Sequence, residues 1–479
     1  MQFGPLAPDM NPRLNDGLLR VADGVYPSPD GYKPVGQWTQ IYTTLGAEPK
    51  GGASFVSPQG VSSIIAGTPT ALYFAFSGGW SVLATGYSVQ GDQRWRFAQF
   101  GGLAIATNGA DPVQKIDLAT MTVAPLGGSP PKFETLGVVT DGFLVGTVLD
   151  GDILTLAWSA AYDAEKWSYG YDQSDYQTMA AGGRINMIYS GENGLLLQRD
   201  RISMMVYVGG NKVFDFIPLH ENVGCVSPHS AVQWSRYGFF LSDQGFMQIV
   251  GEELTQIGRD WIDAEFAAAY DAGDWASMST SIDPVRGVVM WSMGNKIYCY
   301  DFMRSAPGSR RWSTITYAAP IIFAGVTKGV SIDEDESGVA NDSDIDGAGL
   351  DTLDSARFRG GDPRLYVFKS DYTLGVFTGT PMAATFTGND LELFTGKRAN
   401  INFVRPEIDA ASGVTVTLAC KQTLAGAVTN FSTTTLQANG DMAIRASGRY
   451  NRPTVAVAAG TAWTHAKGLE YMGAPGGGR

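Results

Sequence analysis

Histidine and cysteine are both scarce in this chain, with three of each among 479 residues. Cys225, Cys299 and Cys420 lie far apart, with no CxxC pair and an odd total. That pattern argues against a disulfide framework and a zinc site, and the three read as small buried apolar residues. A Ser-His-Asp triad would have to use His220, His229 or His465, yet no GxSxG elbow is present to hold its serine. Charge is sparse too, at 17% of residues, and the 34 basic against 47 acidic side chains give a net charge of −13. Clustered Lys and Arg for neutralising phosphates are missing, which disfavours a basic nucleic-acid surface. A Walker A loop is also missing: "TGKRAN" (Thr395 to Asn400) has Gly-Lys but neither the upstream glycine nor the following Ser or Thr. No apolar run approaches the length of a bilayer span, and "MQFGPLAPD" lacks the basic and apolar regions of a signal peptide, so folding in a cytoplasm is expected.

Glycine is the outstanding excess, at 60 residues, against a usual ~7%, and it marks frequent tight turns. From about Gly51 to Leu393 a short strand-like run, a Gly, Asn or Asp turn and a second run rich in Val, Ile, Phe and Tyr keep returning. Hairpin signals of this kind are "TALYFAFSGGWSVLAT" (from Thr70), "LAIATNGADPVQKID" (Leu103) and "GFLVGTVLDGDILTLAWS" (Gly142). The series continues with "LLLQRDRISMMVYVGGNKVFDFI" (Leu195), "GFFLSDQGFMQIV" (Gly238), "VVMWSMGNKIYCYDF" (Val288) and "RLYVFKSDYTLGVFTG" (Arg364). Their spacing is that of four-stranded propeller blades. The expected fold is therefore all-β: a multi-bladed β-propeller, six blades being the expected count, with an added C-terminal β-sandwich.

The expected layout is an extended N-terminal arm over 1–45, the propeller over 46–400 and the sandwich over 401–479. The arm contains "DGVYPSPDGYKPV" (Asp23 to Val35), whose prolines and Asp-Gly steps favour extended and turning backbone. One helix is expected within "RDWIDAEFAAAYDAG" (Arg259 to Gly273), with Gly273 as its C-cap. In the sandwich, "VTVTLAC", "MAIRASG" and "PTVAVAAG" alternate as half-buried strands do. From Lys397 onward nine basic residues face four acidic ones, +5, which leaves −18 on the part before it.

Nine acids and no Lys or Arg fall between Ser331 and Ser355, a solvated loop by default. Within it "DSDIDG" puts Asp342, Asp344 and Asp346 at the first, third and fifth positions of an EF-hand-like loop, making them candidate Ca²⁺ ligands. The twelfth position is Leu353 rather than the bidentate Glu, and the EF-hand reading fails. "SDQGFMQI" (Ser242 to Ile249) is the nearest approach to a sialidase Asp box and lacks its order. Cys225 and His229 could pair as a thiol nucleophile and base, but the bland reading is a loop whose imidazoles bond the backbone. Trp158, Trp291 and Trp312 sit where strands would bury them. No cofactor and no enzymatic activity are expected.

Three stretches carry a resemblance. "APDMNPRLNDGLLRVADGVYPSPDGYKP" (Ala7 to Pro34) resembles the opening of a family of tail proteins of short-tailed bacteriophages, with Val25, Pro27, Gly31, Tyr32 and Pro34 in the family's places and Asp23-Gly24 where alanine-asparagine is more usual. "LYVFKSDYTLGVFTGTPMAATFTGNDLELFTGKRANINFVRPEID" (Leu365 to Asp409) follows a second element, and "ASGRYNRPTVAVAAGTAWTHAKGLEYMGAPGGGR" (Ala446 to Arg479) the closing one, through Ser447, Gly448, Arg449, Tyr450, Trp463, His465 and Gly468. The resemblance is to the hub or nozzle type, also called packaged-DNA stabilisation proteins. It implies a homo-hexameric virion ring beneath the portal and adaptor, through which genomic DNA passes without specific binding and without membrane insertion. Tyr26, Tyr32, Arg449, Tyr450 and Trp463 are the candidate partner contacts. An acidic lumen would repel the phosphate backbone within about a Debye length, ~8 Å at physiological salt. The alternative reading is a carbohydrate-binding or carbohydrate-cleaving propeller, such as a phage depolymerase or receptor binder, since aromatic side chains stack on sugars.

Overall fold

The computed structural model describes residues 1–10, 17–140, 142–303, 311–327, 361–433 and 435–476. Each hairpin foreseen in the sequence is present. Phe143–Leu149 pairs antiparallel with Asp152–Trp158, and the turn residues Asp150 and Gly151 both take positive φ, 47° and 90°. That is the hairpin geometry whose twist matches that of the strands.

Seven four-stranded antiparallel sheets follow one another, over residues 51–85, 96–125, 135–178, 185–221, 232–256, 279–316 and 321–381. The last has only three strands of its own. Its fourth is β4 (Gly36–Thr44), which runs antiparallel to Thr373–Pro381, with Thr44 opposite Thr373 and Gly36 opposite Pro381. The ring closes where the seventh sheet's inner strand, Ile321–Val326, packs on the first sheet's inner strand, Gly51–Val56. There Val326 N–H donates to Ser54 Oγ at 3.2 Å. The fold is the expected all-β propeller, but the blade count is seven rather than six. Each of the seven hairpins quoted above belongs to its own blade, and the seventh becomes a full sheet only by borrowing a strand from the N-terminal region. Apolar clusters fill the gaps between blades: Phe55, Ile65, Leu72, Trp95, Ala104 and Ile116 are buried together between the first and second.

The β-sandwich draws on both ends of the chain. β1 (Leu19–Asp23) pairs antiparallel with Ala384–Gly388, and the same sheet goes on through Tyr450–Val457, Val414–Lys421 and Thr429–Ser432. On its other side β1 meets Trp312–Thr316, the outer strand of the sixth blade, in parallel at Asp23 and Thr314. Blade and sandwich therefore share one nine-stranded sheet. The facing sheet has the hairpin of β2 (Val25–Ser28) and β3 (Gly31–Pro34), then Ala466–Pro475, Ala399–Ile408 and Met442–Gly448. Sandwich strands thus begin at Ala384, ahead of residue 401, and residues 19–34 are strands of the same unit. One apolar cluster runs from Phe239, Trp291 and Trp312 of the blades to Phe386, Val416 and Leu469 of the sandwich.

The helix is shorter than expected. α1 (Asp263–Ala269) stops at Tyr270, whose backbone is extended, and Gly273 lies inside a separate 3₁₀ turn, Ala272–Ser277, rather than capping α1. No residue in the helix's own approach caps it. Instead the carboxylate of Asp9 accepts from the N–H groups of Ala264 (2.7 Å) and Glu265 (2.9 Å), supplying from the other end of the chain what the first turn lacks.

Candidate functional site

The residues singled out from the sequence fall into three places. Tyr32 is in the sandwich interior, 0% exposed. Its hydroxyl donates to the Gly4 carbonyl at 2.9 Å, and its ring lies 5.5 Å from that of Phe386. Tyr26 and Trp463 come together, lining a cleft of about 700 Å³ between the β2–β3 hairpin, the sixth blade and the loop before the last strand. The Arg286 guanidinium stacks over Tyr26 at 4.7 Å and is held by Asp283 at 2.7 Å, while burial pushes the Tyr26 phenol well up. Beside Trp463, Asp409 accepts from the N–H groups of Thr464 and His465 at 2.8 and 3.0 Å. Burial alone would raise its pKa, but these bonds and the one from the Thr464 hydroxyl hold it at about 2. Arg449 and Tyr450 lie apart from that cleft: the Arg449 guanidinium bonds Glu392 at 2.8 Å and sits 5.4 Å from the Tyr450 ring. Asp342, Asp344 and Asp346 fall outside the described residues, and among those described no group of three metal-ligating side chains forms.

The proposed Cys225–His229 pairing is not made. The Cys225 thiol donates to the Ser227 carbonyl at 3.0 Å, and burial pushes it up to about 11. Both ring nitrogens of His229 are engaged elsewhere: Nδ1 accepts from Arg96 at 2.6 Å and Nε2 donates to the Asp92 carbonyl at 3.0 Å. Burial, then the guanidinium groups of Arg96 and Arg94, hold its pKa well below the usual imidazole value, so His229 is neutral with the proton on Nε2. Such a histidine is a fixed strut, not a base. Trp158, Trp291 and Trp312 are buried in the core. The most exposed aromatic side chains are tyrosines instead, Tyr162 and Tyr171 of the third blade at 78% and 73%, and Tyr169 and Tyr176 of the same blade touch each other.

Strung between distant blades, Arg94 and Arg96 are the residues that sequence reading missed. The inner strands of all seven blades line a central channel, and at the end where these strands begin a second cavity of about 360 Å³ shares Arg94, Arg96, Thr135 and His229 with it. Arg94 reaches from the second blade to the carbonyls of Ala276, Ser277 and Met278 at 3.2, 2.9 and 2.6 Å, closing the C-terminal end of the 3₁₀ turn. There a cation meets the negative end of the backbone dipoles. Arg96 donates to the Pro228 carbonyl at 2.7 Å and to His229. Arg184, paired with Glu134, and Arg199, held by Asp243 at 2.5 and 2.9 Å, complete the wall. Burial depresses the pKa of Arg94 and Arg96 to about 10 each, still fully cationic at neutral pH. The signal available in the sequence was "RWR" (Arg94 to Arg96), three residues with no motif around them.

No family model matches the chain, and no curated protein matches it. Solved structures match it only at low identity and with TM-scores below 0.5. The extracellular domain of the one-component system BT4673 of B. thetaiotaomicron is 12% identical with a TM-score of 0.42, covering 78% of this chain, which spans 43% of that protein's. The β-propeller domain of Cps50 (Swd1) from Myceliophthora thermophila is 9% identical with a TM-score of 0.39, covering 60% of this chain and 92% of its own. BamB from Moraxella catarrhalis is 7% identical with a TM-score of 0.38, covering 74% and 93%. This chain is a β-propeller. The propeller carries the arginine-lined cavity, and the sandwich carries the Tyr26–Trp463 cleft on its border with the sixth blade. Among the described residues no helix is long and apolar enough to cross a membrane.

Proposed function

We propose that this propeller is a ring-forming structural subunit of a phage tail, of the hub or nozzle type, assembling as a hexamer below a portal and adaptor and extending the channel for genome ejection. One observation carries the reading. The first of the three stretches that resemble the tail-protein family lies more than three hundred residues ahead of the other two, yet its strands β1 to β3 interleave in a single sandwich with Ala384–Gly388 and Ala399–Ile408 of the second and with the last three strands, while the start of the second belongs to the seventh blade. A set of scattered motifs that folds into one module behaves as the signature of that module, and the module is joined to the sixth blade through a continuous sheet. Electron microscopy of the purified chain, alone and mixed with portal and adaptor, tests the proposal. Six-fold rings on the portal axis are expected; monomers in every mixture would overturn it.

The second reading, a glycan-binding propeller, draws on the exposed tyrosines of the third blade, since rings in the open offer stacking faces for sugars. Its test is retention on a glycan array, lost when Tyr162 and Tyr171 are both changed to alanine.

A further inference from the structure

The cavity at the channel mouth has a charge and hydrogen-bonding balance that the protein leaves incomplete. In a chain of net charge −13, four arginines converge on one cavity whose lining includes only two carboxylates, Asp92 and Glu134. Glu134 is taken by Arg184, and Arg199 is taken by Asp243. Arg94 and Arg96 have no carboxylate partner among the described residues, and each bonds neutral acceptors only. Arg96 uses a single nitrogen, Nη2, for both of its bonds, so Nε and Nη1 keep their protons without a protein acceptor. Trp275 also lines the cavity, with its indole N–H buried away from the open space and without a partner among the described residues. The open positions of Arg96 are therefore all donors. Asp92 and Glu48 act on Arg94, and Glu134 on Arg96, only from beyond ion-pair distance, and planar guanidinium groups with open donors are suited to oxygens of carboxylates and phosphates.

We infer that this cavity is an anion-binding site, taking a carboxylate- or phosphate-bearing small molecule whose oxyanion lies against Arg96 and Arg184. Its volume of about 360 Å³ falls within the range of small-ligand pockets, roughly 300–1,000 Å³. His229 positions the Arg96 guanidinium by accepting from Nη2, and Arg94 fixes the opposite wall by tying down the 3₁₀ turn that carries Trp275. The inference stands on these residues alone and is indifferent to whether the chain builds a virion ring.

Isothermal titration of the full-length protein in chloride buffer tests it, with inorganic phosphate, glucuronate and neutral glucose as separate probes. One saturable site is expected for phosphate or glucuronate and none for glucose. Phosphate without glucuronate assigns a phosphoryl ligand, and glucuronate without phosphate assigns a carboxylate. R96Q is expected to weaken binding at least tenfold and R184Q severalfold, while R445Q, an exposed arginine of the sandwich, leaves it unchanged. Should R96Q fail to fold, R184Q decides alone. Absence of saturable binding for both anions, or wild-type affinity in every folded cavity variant, overturns the assignment.

Discussion

Tyr32 offers the sharpest test of how the N-terminal segment is held. Tyr32→Phe removes one hydrogen bond and leaves the Gly4 carbonyl without this donor; losing such a bond costs about 1–2 kcal/mol. Tyr32→Ala also removes a ring with no exposed surface that packs on Phe386. Deleting a buried aromatic ring costs about 3–5 kcal/mol, and with the lost bond the total reaches about 4–7 kcal/mol. That is comparable to the whole stability of many domains. The readout is hydrogen exchange by mass spectrometry. Phe3 N–H donates to the Lys467 carbonyl, and Leu469 N–H to the Met1 carbonyl, so peptides covering residues 1–10 and 466–470 should lose protection together in Tyr32→Ala and much less in Tyr32→Phe. A calorimetric scan should show the transition moving by amounts in the same order. Equal effects of the two substitutions, or an alanine variant with wild-type protection at both ends, would refute the reasoning.

Gly24→Ala and Gly31→Ala should each destabilise the sandwich strongly, because a Cβ there would stand 2.0 Å from the carbonyl oxygens of Ala383 and Ala466 respectively; thermal melts give the measure, and wild-type melting of both would count against the packing described. Thr39→Pro removes an N–H from the strand that completes the seventh blade opposite Val376, and should expose residues 363–381 to limited proteolysis while the third blade stays resistant. Asp263 is pushed up to about 6 by burial, against the opposing bond from Phe246 N–H. A folded-state pKa above the unfolded one gives stability that is present below the unfolded value and lost as pH rises through the folded value. Asp263→Asn should therefore gain on the wild type in denaturant midpoint between about pH 4 and about pH 6 and level off above, and a pH-independent difference would be the wrong result.

The hairpins were legible because both causes of a hairpin are local: alternating apolar residues and a Gly, Asp or Asn turn. Seven were readable one by one, yet the count of blades was not, since "GQWTQIYTT" (Gly36 to Thr44) finds its partner strand across the whole propeller. Trp38 Nε1 donates to the Val367 carbonyl 329 positions away. "DGVYPSPDGYKPV" was readable as extended backbone with a tyrosine to bury, but not as strands of a sandwich, for the same reason. The helix ended early because Tyr270 is drawn off to donate to the Met293 carbonyl at 2.9 Å, a tertiary contact that outweighs the propensity of the alanines. Arg94 and Arg96 could not be found at all, and His229 was noticed only beside Cys225, because the arginine it pins is 133 residues distant and neither arginine belongs to a recurring motif.

The borrowed strand of the seventh blade has a bearing on how the molecule comes into being. β4 leaves the ribosome early, yet the strand it must join, Thr373–Pro381, is made some three hundred residues later; β1 waits still longer for Ala384–Gly388. During synthesis β1 and β4 have no partner strand yet, and blades one to six must form in an open arc. Only then can the ring and the sandwich shut, in one late event that consumes both ends of the chain. A product cut short before Thr373–Pro381 would keep an unpaired edge at β4, the kind of edge that recruits other chains.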